Sequence, residues 1–115
     1  MPSLEIAQQY FEFSNQSDFE GIAKLLTDST TYSSQNTGIY LGRDDIIAMQ
    51  KDFHYKFAKL HWHVNSVKEV KHGVILFDYD FQATLPSGEV MQSSGLECVV
   101  IYKDKIQHIE IRNKG

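Results

Sequence analysis

The chain predicts an α+β domain in which helices cover one face of a mostly antiparallel sheet. Three observations carry this. Apolar residues recur at helical spacing in three segments before Leu60, and from Leu60 onward they alternate. The alternating runs are joined by turns of only a few residues, which forces neighbouring strands to run antiparallel. Helices first and strands after give α+β rather than interleaved α/β.

The first helix is expected to start at Ser3, as N-cap, and to end near Asn15. Ile6, Ala7, Tyr10, Phe13 and Ser14 share one face of it, and Glu5, Gln8, Gln9 and Glu12 the other. Asp18 then caps a second helix carrying Phe19, Ile22, Ala23 and Leu26 at i, i+3, i+4 and i+7. Gly21 within it costs about 1 kcal/mol relative to Ala, so this helix depends on packing. Thr30, Thr31 and Tyr32 predict a short strand, and Gly38 to Gly42 a second extended piece. A third helix from about Arg43 turns Ile46, Met49, Phe53, Phe57 and Leu60 to one side.

Leu60, Trp62 and Val64 then alternate with His61, His63 and Asn65. His72-Gly73 turns into a long hairpin, VILFDYDFQATL and VMQSSGLECVVIY, joined at Pro86-Ser87-Gly88. Lys103-Asp104-Lys105 turns into a last strand, where Ile109 and Ile111 oppose His108, Glu110 and Arg112. The second face of the hairpin's return strand, Leu96, Cys98, Val100 and Tyr102, is apolar as well. Three helices do not cover both faces of such a sheet, so a homodimer through the sheet is expected.

At 115 residues the chain reads as a single domain, 1–115. A net charge of −4 and no basic patch argue against nucleic acid as a partner, because phosphate binding needs clustered Lys and Arg. No segment has the length of a membrane span, and the opening Met1-Pro2-Ser3-Leu4-Glu5 has no secretory pattern, so no membrane partner and a cytoplasmic location are expected. Cys98, the sole cysteine, excludes an internal disulfide.

YFEFSNQSDFEGIAKLL, TTYSS, GRDDI and the closing KIQHIEIRN, in that order and spacing, resemble the nuclear transport factor 2-like superfamily. Within it the chain is similar to the SnoaL-like and ketosteroid isomerase-like group. The resemblance implies a cone-shaped, cystatin-like α+β barrel: three N-terminal helices packed on a strongly curved sheet, with a pocket between and a dimer through the sheet. The group includes isomerases, polyketide cyclases, epoxide hydrolases and binding scaffolds. In its isomerase pattern the oxyanion-binding tyrosine matches Tyr10 and the protonated acid matches Glu97. The general base, an Asp, falls at Ser34, which is no base at neutral pH.

Tyr10 and Glu97 are therefore candidate donors to a ligand oxygen, with Glu97 kept neutral by burial. Their alternative is a ring packed in the core and a carboxylate paired at the rim. Asp78 and Asp80 share one face of their strand and would supply a base if that face is the cavity. The aromatic face of Phe77, Tyr79 and Phe81 is the natural core face, which sends both to solvent unless a β-bulge reverses the strand. His63 is a candidate acid or base on the cavity wall. His61 and His63 lack a third ligand at motif spacing, so no metal is expected, and no cofactor. Tyr32, Ser34, Tyr40, Phe53, Phe57, Trp62 and Ile109 are the candidate ligand-binding wall. The expected function is a small-molecule enzyme or binder acting on a carbonyl-containing ligand; the alternative is a non-catalytic dimeric binding or protein-interaction module.

Overall fold

In the computed structural model, which describes residues 1–114, two helices lead the chain: α1 (Ser3–Asn15) and α2 (Phe19–Leu25). A hairpin of β1 (Thr31–Ser34) and β2 (Gly38–Leu41) follows, then α3 (Arg43–His54). Four long strands complete it: β3 (Lys59–Lys71), β4 (Val74–Thr84), β5 (Val90–Tyr102) and β6 (Lys105–Asn113). They form one six-stranded sheet in the order β2-β1-β6-β5-β4-β3, antiparallel throughout except where β1 runs parallel to β6. Among the described residues no helix is long and apolar enough to cross a membrane.

The helices follow the sequence closely, with small corrections. Pro2, not Ser3, takes the N-cap of α1, its carbonyl accepting from the amides of Glu5 and Ile6. Phe11 is buried one turn beyond Ala7 and stacks on Phe77 at 4.0 Å, while Phe13 is only half-buried. Asp18 caps α2 as expected, accepting from the Gly21 amide at 2.9 Å. Gly21 is more than a cost: a Cβ there would stand 2.9 Å from the Phe13 ring, so the glycine lets α1 and α2 close on each other. Helix α3 ends at His54, leaving Phe57 in the connection and Leu60 in β3.

Three register shifts bend the sheet around the helices, one of them between Glu69 and Lys71 near the end of β3. In β3 the register shifts between Val64 and Ser66, which keeps Val67 on the same face as Leu60, Trp62 and Val64. Between β5 and β6 it shifts after Val100, so Ile106 and Ile109, three residues apart, are both fully buried. Each inserts an extra residue that bends its strand and sharpens local twist. The β5–β6 turn has Lys103 and Asp104 both at positive φ, the backbone a tight hairpin demands. β4 alternates without interruption: Ile75, Phe77, Tyr79, Phe81 and Ala83 face the helices, and Asp78 and Asp80 face outward.

Candidate functional site

The space between α1, α3 and the inner face of the sheet does not fill completely. A cavity remains, about 60 Å³ to the centre of a water-sized sphere and about 610 Å³ of empty space counting its mouth. Phe11, Met49, Phe53, Trp62, Phe81 and Ile111 make the apolar walls. Against them stand Tyr10 from α1, Tyr32 and Ser34 from β1, Gln50 and His54 from α3, Tyr79 from β4 and Glu97 from β5.

Glu97 is the dominant electrostatic feature. Strand parity turns it inward between Gly95 and Val99, and it is 3% exposed. No Lys or Arg lines the cavity, and the carboxyl has no hydrogen-bond partner among the described residues. Burial alone pushes it up to about 8, so it is mainly the neutral acid at neutral pH. Tyr79 lies across β5 because Gly95, its register partner, has no side chain to meet its ring. Tyr10, Tyr32 and Tyr79 are all raised above the usual phenol range, first by burial and then by the neighbouring Glu97 charge. All three therefore keep their protons and remain potential donors.

Tyr10 does not pair with Glu97. Its hydroxyl accepts from Gln50 Nε2 at 2.9 Å, which leaves its own proton free to be donated. Gln50 Oε1 is buried without a partner, a state costing about 1–3 kcal/mol. His54, 6% exposed, lies with Nδ1 2.8 Å from Ser17 Oγ, and its burial pushes the ring down to about 4. It is the neutral imidazole at physiological pH.

Six of the sequence candidates meet here: Tyr10, Tyr32, Ser34, Phe53, Trp62 and Glu97. Tyr40, Phe57 and Ile109 stand one layer back. Tyr40 gives its proton to the Thr37 carbonyl at 2.8 Å and sets its ring edge on Tyr32. Phe57 props Phe53 and Phe81. Ile109 is fully buried, and it is Ile111, two residues on, that reaches the cavity.

His63, Asp78 and Asp80 do not reach it. The shifts in β3 fall at Asn65 and Val70, both beyond His63, and β4 alternates without interruption, so all three point to the outer face. There His63 pairs in register with Asp80 in a shallow open depression that His61 shares. Asp78 accepts from Lys114 Nζ at 2.6 Å and Asp80 from Ser94 Oγ at 2.6 Å, bonds that hold both carboxyls below the usual range. Among the described residues no three His, Cys, Asp or Glu gather as a metal site.

Gln50, His54 and Tyr79 are the residues missed from sequence. A signal existed for the helical pair: 46, 49, 50, 53 and 54 fall at i, i+3, i+4, i+7 and i+8, so Gln50 and His54 lie on the buried stripe itself.

Comparison with known proteins agrees with this architecture. The family model of the SnoaL-like domain matches residues 7–109. No curated protein sequence matches the chain. Among solved structures, a nuclear transport factor 2-like protein of unknown function from Burkholderia pseudomallei superposes with a TM-score of 0.86 at 13% identity, over 97% of this chain and 90% of that one. An LEH-like epoxide hydrolase from M. tuberculosis gives 0.84 at 8% identity, over 97% and 82%. An uncharacterised cystatin-fold protein from Novosphingobium aromaticivorans gives 0.84 at 16%, over 97% and 98%. At such identities the likeness to the solved structures concerns the fold. With the family model spanning most of its length, the chain belongs to the SnoaL-like domain family, within the nuclear transport factor 2-like and ketosteroid isomerase-like fold.

Proposed function

We propose that the cavity binds a small, largely apolar ligand through a carbonyl or enol oxygen, which Glu97 and Tyr10 receive as neutral donors. The observation that carries this reading is Glu97: a carboxyl 3% exposed, lining a cavity, with neither a cation nor a donor to meet it among the described residues. A neutral acid in a dry site stabilises negative charge developing on a ligand oxygen far better than water does, because the donor is already aimed and desolvated. The chemistry such a pair supports is acid–base catalysis of the isomerase or cyclase type. The free proton of Tyr10 and the raised phenols of Tyr32 and Tyr79 support the same assignment.

The proposal includes a cytoplasmic homodimer. What supports the dimer is the outer face of β4 and β5, where Leu76, Leu96, Cys98 and Val100 are only half-buried and Tyr102 is 61% exposed. Such a surface is covered in most soluble proteins.

The test is a carbon-13 titration of Glu97 combined with binding of para-nitrophenol, read by quenching of Trp62, the only tryptophan. Glu97 is expected to titrate near 8, and Glu97→Gln to weaken binding of the phenol. An ordinary carboxyl titration, with no saturable quenching, would leave the non-catalytic interaction module as the better reading.

A further inference from the structure

A donor pair alone polarises a carbonyl without moving a proton from carbon. Ser34 lines the cavity where the isomerase pattern has its base, and a hydroxyl is no base at neutral pH. His63, Asp78 and Asp80 lie beyond the sheet. We propose that His54 is the proton acceptor of this cavity, working through Nε2 from the helical wall while Ser17 holds Nδ1. The inference rests on the carbonyl reading above and deepens it.

Geometry makes the case. Among the described residues His54 is the only side chain with a basic nitrogen that lines the cavity. Its ring is fixed on several sides: the edge contact with Phe19 is 4.9 Å between centroids, Trp62 lies at 5.3 Å and Phe53 at 6.3 Å. Nδ1 is engaged by Ser17 Oγ at 2.8 Å, which leaves Nε2 as the nitrogen for a ligand. Ser17 itself sits at φ +52°, a conformation that suits glycine and costs another residue about 1 kcal/mol. The serine there puts its hydroxyl against the ring. When the hydroxyl accepts from Nδ1–H, the Nε2 lone pair faces the ligand, and the same bond steadies the imidazolium once Nε2 is protonated.

Position supplies two further terms. His54 is the last residue of α3, where the helix dipole favours a positive charge. Burial meanwhile holds it near 4, in the basicity range of a carboxylate, so it stays a free base at neutral pH. The step balances without a co-reactant. Nε2 takes a proton from the carbon beside the carbonyl, the C–H electron pair forms a carbon–carbon double bond, and the carbonyl π pair moves to the oxygen held by Tyr10 and Glu97. Return of that proton to another carbon completes an isomerisation.

Nitrobenzisoxazole, a flat neutral probe, tests the base and the donors together. Nε2 takes its ring C–H proton, the freed pair forms the nitrile, and the N–O bond breaks to leave a phenolate followed by absorbance. Wild type is expected to turn over, with kcat at least about tenfold lower in His54→Ala at a KM within about twofold, and added imidazole restoring the rate. His54→Gln is the second variant should the alanine fold poorly. Ser17→Gly suits its backbone, so it should fold normally yet lower kcat severalfold. Long-range nitrogen-15 spectra of the resting wild type should show the Nδ1–H tautomer. The assignment is overturned by wild-type rates in His54→Ala and His54→Gln, by a change in KM alone, or by an Nε2–H tautomer. If para-nitrophenol quenches Trp62 while wild type does not turn over the probe, His54 fails and the carbonyl site stands. If neither occurs, both readings fall.

Discussion

The two faces of the sheet hold carboxyl groups in opposite regimes, although the strands that carry them are neighbours. Glu97 faces inward opposite Phe77, and one step along the same ladder Asp78 faces outward opposite Leu96. Burial pushes Glu97 up to about 8; Lys114 and Asn65 hold Asp78 below the ordinary range. The inner carboxyl lacks a partner and has a cavity, while the outer one has partners and solvent. A polar residue within an apolar run is thus uninformative until its parity is known, because the period of two decides whether it becomes a chemical group or a surface bond.

The largest expected effect tests whether the faces differ in packing at all. Phe77, 1% exposed and stacked on Phe11, should lose about 3–5 kcal/mol of stability as Phe77→Ala in urea unfolding. Leu76→Ala, one residue away on the half-buried outer face, should cost clearly less in a monomer. Equal losses would break the comparison and mean that the outer face is covered in solution. Sedimentation of Tyr102→Asp then sharpens it: a charge set into an apolar interface without a partner should shift a dimer toward monomer, and an unchanged dimer would place its interface elsewhere.

The next effect in size concerns Glu97 and has a fixed sign. Its folded pKa, about 8, lies above the unfolded value near 4.5. The native state therefore binds more protons between those values, and stability declines as pH rises through that window. The contribution is fully present below the unfolded value and gone above the folded one. In wild type this adds a slope of about −1.4 kcal/mol per pH unit within the window. Glu97→Gln removes the ionisable group, so its urea midpoints should lack that slope. Identical pH profiles for the two proteins would show that Glu97 is ionised in the fold.

Much of this was legible in the sequence, and the reasons are local. The i, i+3, i+4 stripes of α1 and α3, the Asp18 cap, the alternation of β4 and that of β5 from Ser94 onward each follow from nearby residues. Parity favoured Asp78 and Asp80 outward, while Glu97 as a cavity acid came from the family resemblance, with a rim-paired carboxylate as the alternative. What was not legible depends on distant partners. The parallel pairing of β1 with β6 joins segments more than seventy residues apart in sequence. The roles of Gln50 and His54 are set by Tyr10 and Ser17, which no spacing within α3 reveals. His63, a candidate for the cavity wall, lies on the opposite side of its strand from the inward row of Leu60, Trp62 and Val64.

The smallest effect belongs to the outer face, and its sign is the reverse of that for Glu97. Asp78 is held below its ordinary value first by the hydrogen bond from Lys114 and then by that from Asn65. A depressed carboxyl stabilises the fold above its unfolded pKa, and that contribution fades as pH falls through the folded one. Because the pair is open to solvent, salt screens it and holding two side chains together offsets most of the attraction. Asp78→Asn should therefore leave urea midpoints at neutral pH within error of wild type. Only the acid limb should differ slightly, and that difference should vanish at high salt. The variant should also leave the alkaline slope and para-nitrophenol binding untouched, since Asp78 is separated from the cavity by the sheet itself. An altered phenol affinity in Asp78→Asn would mean that the outer row communicates with Glu97 through the strand, and the division of the sheet into a chemical face and a bonded face would not hold.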